Sequence, residues 1–426
     1  MSSAFLARLK RPAYLHNSTT LLLFFASWGV WWSFFQIWLT SPESGLGLNG
    51  HQVGIVYSAN AAATLLIMLV YGIVQDKLQM KRHLVIFASL LMSPVAPFVI
   101  WVYQPLLMAG GSSFMLGVAL GAWVLAAGFI AAAGLFEAFS ERFARAHGDE
   151  YGQVRMWGSV GYAMAALLAG FLFTYDPALN FWCGSLLGVC CLVANVLWKS
   201  PVAPAGMHGT VPATPGLKDI IRGLCCRPML TMVIFVLLSW TFYTVFDQQM
   251  FPDFYTHLFD SPARGQRMYA LLNSIQVCLE AVMLGLVPLL MHRIGVKPAL
   301  MLGILVMFLR IAGCAFFTDP MLISLVKLLH APEVALCVLP IFRYFTLHFN
   351  PVLSVTLYMV GFQLSSQVGN ILLSPVLGAL RDDIGYQPTF YLIAGIVLLA
   401  GIYGLFFLKG DRQQLSNASD NSALSS

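Results

Sequence analysis

Charge is what this sequence has least of. Asp, Glu, Lys and Arg make up 10% of its 426 residues, against 59% hydrophobic, and the mean hydropathy is +0.78. A soluble chain usually carries about a quarter charged residues. This one cannot cover a water-facing surface, so it is read as a membrane protein whose outer face meets lipid. Absent motifs narrow the class further. No GxxxxGK[ST] stretch occurs, which excludes an ATP-driven pump built on a P-loop. There is no HExxH and no nucleophile in register with a base, which weighs against a membrane-embedded hydrolase. The eight cysteines contain no CxxC, and the adjacent pairs Cys190-Cys191 and Cys225-Cys226 fit neither a disulfide framework nor a metal site. Reduced, buried thiols are expected, with no metal and no organic cofactor. No cleavable signal peptide is expected, because the first apolar run is too long for one and no A-x-A site follows it.

What is present is a series of apolar runs, each of about the twenty residues that span a bilayer. They fall at 18–40, 53–75, 83–103, 114–138, 154–173, 178–198, 229–249, 268–291, 298–317, 320–345, 352–380 and 388–408. The expected fold is all-α, with twelve transmembrane helices. Of the 23 Lys and Arg residues, 17 fall in segments that share a side with the N-terminus and three, Arg264, Arg267 and Arg381, on the other. That bias puts both termini in the cytoplasm. The formal charge of +5 is therefore a topology signal, not a sign of nucleic-acid binding. The polar interval 199–227, rich in Pro, Gly and Thr, reads as a cytoplasmic linker between an N-terminal half, 1–198, and a C-terminal half, 228–410. A weak repeat supports the division, since GIVQDKLQMKR at 72–82 follows the second run and HRIGVK at 292–297 follows the eighth. Two six-helix halves are the major facilitator architecture, which places a substrate site near the midplane between them. The tail 411–426 is polar and expected to be disordered.

Within the spans lie Glu137, Arg155, Asp247, Glu280, Arg310, Lys327, His330 and Glu333. Each asks for a partner or a wet cavity. Lys327, His330 and Glu333, in the stretch VKLLHAPEV, share an arc of about 120° on a helical wheel. Four acids stand against three permanent cations. A buried acid lacking a permanent cation is suited to load and release a proton, though the count leaves open which acid that is. Taken alone, Glu137 and Asp247 lie near helix ends and serve equally well as structural groups. The aromatic run Trp28, Trp31, Trp32, Phe34, Phe35 and Trp38 is read as lipid packing or an interface belt in preference to a sugar platform. Gly121, Gly128, Gly134, Gly158 and Gly161 are read as points of close helix approach.

FDQQ at 246–249, EYGQVRMWGSVGY at 150–162 and Lys327-x-x-His330-x-x-Glu333-Val334 resemble the oligosaccharide:proton symporters of the major facilitator superfamily, the family of lactose and sucrose permeases. The likeness runs from the first helix to about residue 410. It is nearest the sucrose permease branch, through WWS at 31–33, GIVQDKL at 72–78, NSIQVCLEA at 273–281 and VGFQLSSQVG at 360–369. It implies import of a disaccharide, sucrose foremost, with a proton across a bacterial inner membrane by a monomer in contact with lipid. The alternatives it leaves are raffinose, melibiose or lactose, and a sensor that binds sugar without moving it. As substrate-binding residues it implies Glu137, Arg155, Ser159, Tyr162, Gln276, Glu280 and His330. Glu333, Arg310 and His330 would couple the proton, and Asp247 with Lys327 would form a structural ion pair. Two departures stand out. The lactose pattern has its acid at the position of Val277, whereas here the acid is one turn on, at Glu280. An Asp–Lys pair of that pattern is replaced by Thr244 and Ser366, both charges having gone together.

Overall fold

The computed structural model describes residues 11–78, 82–198, 226–349 and 358–411, and these contain no strand. Its helical segments are α1 Pro12–Thr40, α2 Gly50–Leu78, the bent α3 (His83–Met92 with Val95–Ala109), α4 Gly111–Ala146, α5 Tyr151–Tyr175 and α6 Ala178–Leu197. They continue as α7 Arg227–Thr256, α8 Pro262–Ile294, α9 Val296–Phe316, α10 Pro320–His348, α11 Ser365–Ile384 and α12 Tyr386–Phe407. Among the described residues, ten are long and apolar enough to cross a bilayer, or eleven if α3 counts as one span broken by 50°. The expected eleventh span begins at 352, and its residues 352–357 lie outside the described ones, as do 199–225 of the expected linker and 412–426 of the expected tail.

The chain forms two compact units. One gathers α1 to α6 with Gln248–Cys278 and Ser374–Asp383; the other holds the remainder of α7 to α12.

Prolines account for three departures of the helices from regularity. At Ser93-Pro94 α3 bends; Pro94 and Pro97 offer no N–H, and the N–H of Ala96 turns to the Ser185 hydroxyl of α6 at 2.8 Å. In α7, Pro252 cannot donate to the carbonyl of Gln248. The helix widens into a π turn over Phe246–Met250, and the Tyr57 hydroxyl supplies the missing donor at 3.1 Å. In α10, Pro332 leaves the Leu328 carbonyl without its usual partner. Ala331 N–H reaches it from three residues on (3.3 Å), and a tight turn at Leu328-Leu329 separates Pro320–Lys327 from His330–His348.

The first unit is built around α1. Its aromatic run belongs to the interior, a correction to the lipid-facing reading. Trp31, Phe34, Phe35 and Trp38 are at most 4% exposed. Trp31 packs on Phe129 of α4 and Phe181 of α6, with ring centroids 5.0 and 6.0 Å away. Trp28 and Trp32 are half-buried. The helix α5 comes close to α1 because it presents glycines. A Cβ on Gly161 would lie 2.4 Å from the Leu22 carbonyl oxygen, and one on Gly158 would lie 2.7 Å from the Phe25 ring. Gly121 is as tight, against the Tyr103 ring at 2.1 Å, and Gly128 makes ordinary contact. Gly134, by contrast, has nothing within 4 Å and is not a point of close approach.

These contacts separate two glycines of one apparent type. Gly161→Ala forces α5 off α1 and is expected to cost about 1–3 kcal/mol, whereas Gly134→Ala should cost nothing. Thermal unfolding of the detergent-solubilised protein checks this; equal midpoints for the two variants would contradict the packing.

Candidate functional site

Two polar clusters lie within the apolar helices, one in each unit. In the first unit, Glu137 sits on α4, and Arg155, Ser159 and Tyr162 follow one another along one side of α5. The spacing of four between Arg155 and Ser159 stacks them on that side. Arg155 Nε donates to Glu137 Oε1 at 2.6 Å and Nη1 donates to Ser159 Oγ at 3.2 Å. The guanidinium lies over the Phe25 ring of α1, 4.2 Å from its centroid. Neither charged side chain is sealed, Arg155 being 30% and Glu137 37% exposed, so both are open to a polar ligand. Tyr162 packs on Gly29 of α1, and its ring meets that of Trp28 edge-on at 6.5 Å. On α8, Gln276 is buried with its Oε1 unpartnered, and the Ser274 hydroxyl beside it ties α8 to the Ala163 carbonyl of α5 at 3.2 Å. Glu280, one turn further along α8 and half-buried, falls in the second unit.

In the second unit, Arg310 of α9 is wholly buried and its fork divides between two acids. Nε and Nη2 donate to the two oxygens of Glu333, the latter at 3.2 Å, while Nη1 donates to Asp247 Oδ1 at 2.9 Å. That same oxygen accepts from Lys327 Nζ at 2.6 Å, and His330 Nδ1 lies 3.4 Å from it. Asp247 and Lys327 thus make contact, but as part of a five-member set joined to Glu333 through Arg310. The π turn at Phe246–Met250 carries Asp247, and the turn before Pro332 lies between Lys327 and His330. The three polar residues of α10 converge on one set even though the helix is broken between the first two.

With both acids ionised and His330 neutral, two negative charges balance two positive ones. Such neutrality is what a low-dielectric interior requires of buried charge. Two residues that touch this set went unnoticed in the sequence. Tyr243, four residues before Asp247 on α7, brings its hydroxyl to 3.3 Å from His330 Nδ1, and Arg310 lies 5.4 Å from its ring centroid. Phe246 covers the guanidinium at 4.9 Å. The spacing of four was the available signal for Tyr243; for Phe246 and for Phe25 there was none. Thr244 and Ser366 are both buried, and the Thr244 hydroxyl donates to the Trp240 carbonyl of its own helix at 2.7 Å. The helix bearing each touches the other one turn away, where a Cβ on Gly369 would come 2.4 Å from Thr241 Oγ1.

A helical membrane protein with ionisable sets buried in its spans has the makings of a secondary transporter, and its fold is shared with solved structures. A nucleoside transporter, NupG, matches with a TM-score of 0.78 at 18% identity, over 93% of this chain and 99% of that one. A D-xylose–proton symporter matches with a TM-score of 0.67 at 14% identity, over 93% and 98%. The fold is therefore of the major facilitator type. Residues 6–420 match the LacY proton/sugar symporter family, and the chain belongs to it: a multi-pass carrier of sugar and protons, not an enzyme. It is 43% identical to the sucrose permease of Escherichia coli, over 94% of this chain and 95% of that protein. To the lactose permease of Klebsiella oxytoca it is 31% identical (91% and 92% covered), and to the raffinose permease of Escherichia coli 32% (91% and 90%).

The shared oxygen of Asp247 orders the cost of neutralising its partners. Lys327→Met leaves Asp247 paired with Arg310. Arg310→Met takes a cation from Asp247 and Glu333 together and should be the more destabilising, by about 3–5 kcal/mol before any carboxyl protonates. Arg310→Lys should restore little, because a point charge cannot span both acids. Unfolding midpoints at neutral pH measure the order, and a larger loss for Lys327→Met would contradict it.

Proposed function

We propose that this carrier imports a disaccharide, sucrose foremost, with a proton across the bacterial inner membrane by alternating access, with both termini cytoplasmic. The 43% identity to a sucrose permease supports the sugar, and the side-to-side bias of Lys and Arg supports the orientation. The observation that carries the coupling is the wholly buried Glu333 carboxylate, both of whose oxygens lie on the Arg310 fork.

In this reading the two clusters divide the work. Glu137 and Arg155 each take vicinal hydroxyls, as a carboxylate and a planar guanidinium are suited to do. Ser159 and the unpartnered oxygen of Gln276 add hydroxyl contacts, and Tyr162 offers a ring to a pyranose face. Glu280 replaces an acid that the lactose pattern holds one turn earlier, which favours a disaccharide other than lactose. Glu333 carries the proton. When it is protonated, its hold on Arg310 weakens and the guanidinium keeps Asp247; when Arg310 returns to it, the ionised form is favoured and the proton leaves. His330, beside both Asp247 and the Tyr243 hydroxyl, connects the proton set to the sugar.

Two experiments follow. Glu333→Gln mimics the protonated carboxyl permanently, so sugar should still exchange across the membrane while accumulation against a gradient fails. Uphill accumulation at the parental level would remove Glu333 from the proton path. Arg155→Ala and Glu280→Ala should each abolish sucrose binding by leaving hydroxyls unpaired, measured by equilibrium binding with lactose, raffinose and melibiose as competitors. Parental binding by Glu280→Ala would overturn the displaced-acid reading, and a preference for another of these sugars would replace sucrose.

A further inference from the structure

The start of α2 is capped from two sources. Asn49 and Gln52 form a local pair: Asn49 Oδ1 accepts from Gln52 N–H at 2.8 Å, and Gln52 Oε1 accepts from Asn49 N–H at 3.1 Å. The N–H groups of Gly50 and His51 remain, and neither is met by a neighbour in sequence. Both go to Asp382, more than 300 residues away near the end of α11. Gly50 N–H donates to Oδ1 at 2.8 Å and His51 N–H donates to Oδ2 at 2.9 Å. Arg381 Nη2 also donates to Oδ1, at 2.7 Å. His51 Nδ1 lies 3.2 Å from the Pro375 carbonyl oxygen of α11.

The backbones around this carboxylate are in direct contact. A Cβ on Gly378, one turn before Asp382, would lie 2.0 Å from the Gly50 carbonyl oxygen. A Cβ on Gly54, one turn into α2, would lie 2.3 Å from the Ser374 carbonyl oxygen. Glycine makes the approach possible but supplies no attraction of its own. The attraction comes from one carboxylate on two helix-terminal N–H groups at the positive end of the α2 dipole. The polar part of the contact lies between one side chain and two backbone groups.

We propose that Asp382 is a clasp for the outer mouth of the carrier, holding α2 to α11 while that mouth is closed and releasing α2 each time it opens. This rests on the reading above, in which the segment 41–49 and the turn after α11 face outward. Burial pushes the Asp382 carboxyl up, but the hydrogen bonds from Arg381, His51 and Gly50 bring it below the usual carboxylate range. The clasp is therefore charged at neutral pH, and Asp382 is a positioning residue with no share in carrying the proton.

The test uses the full-length protein in proteoliposomes, with spin labels at the exposed positions Glu43 and Asp383 in a cysteine-free background. Asp382→Ala should move the distance distribution toward the longer, open population by about tenfold, the scale of a lost helix cap. The maximal import rate should fall while sugar affinity from outside is kept or improved. Asp382→Asn retains one acceptor oxygen and should lie between Ala and the parent. An unchanged distance distribution in Asp382→Ala would overturn the clasp, as would a loss of sugar affinity with no change of distance. If the parent protein itself moved no sugar with protons, the functional reading would fall instead, and the two failures are distinguishable.

Discussion

The buried guanidinium of Arg310 is the constraint on which the second unit depends. A cation with no exposure to water cannot stand alone, and its fork is satisfied only by bringing Glu333 of α10 and Asp247 of α7 to it at once. Asp247 then admits Lys327, and with it the set is neutral. Neutrality makes the set responsive, because a proton added to either acid or to His330 changes the balance for all of them. The irregular backbone serves this arrangement. The π turn of α7 carries Asp247, and the turn before Pro332 separates Lys327 from His330. Wide turns and proline breaks recur where a helix must deliver a side chain at an angle that its regular pitch does not supply.

The first unit solves a different problem. Glu137 and Arg155 are paired but open to water, so in the proposed reading a polyhydroxylated ligand would displace solvent from them at little cost. Their position is set by packing: the small residues of α5 bring it against α1, and the Phe25 ring of α1 lies beneath the Arg155 guanidinium. The aromatic run of α1 is divided by this geometry. Trp31, Phe34, Phe35 and Trp38 fill the interior, while Trp28 and Trp32 are left half-buried.

How much of this was legible varies with the range of the interaction. Apolar runs and the charges interrupting them are local signals, and they placed the helices and every charged member of both clusters. The arc of Lys327, His330 and Glu333 was read on an unbroken helix; Pro332, plain in the sequence, was the sign that it is not one. Contacts between residues far apart in the chain left no such trace. Nothing in spacing said that Asp247 would serve Arg310 as well as Lys327. The helix caps show the same limit. Asp411 accepts from the Val296 N–H that opens α9 at 2.6 Å, and Lys297 Nζ returns to two carbonyls at the end of α12, that of Leu405 and that of Leu408 just beyond the helix, at 2.8 and 2.7 Å. Neither partner lies within the helix that it caps. Glycine was legible as a residue type but not as a contact, which is why Gly134 and Gly161 read alike and differ in the fold.

The central claim is that sugar and proton enter together, and proton movement tests it most directly. De-energised cells or right-side-out vesicles holding the protein, suspended in lightly buffered medium without oxygen, would receive a pulse of sucrose while external pH is followed. The account predicts immediate alkalinisation of the medium, abolished by a protonophore and absent from Glu333→Gln at equal protein level. Sucrose entry at the same rate with no change in external pH would contradict it.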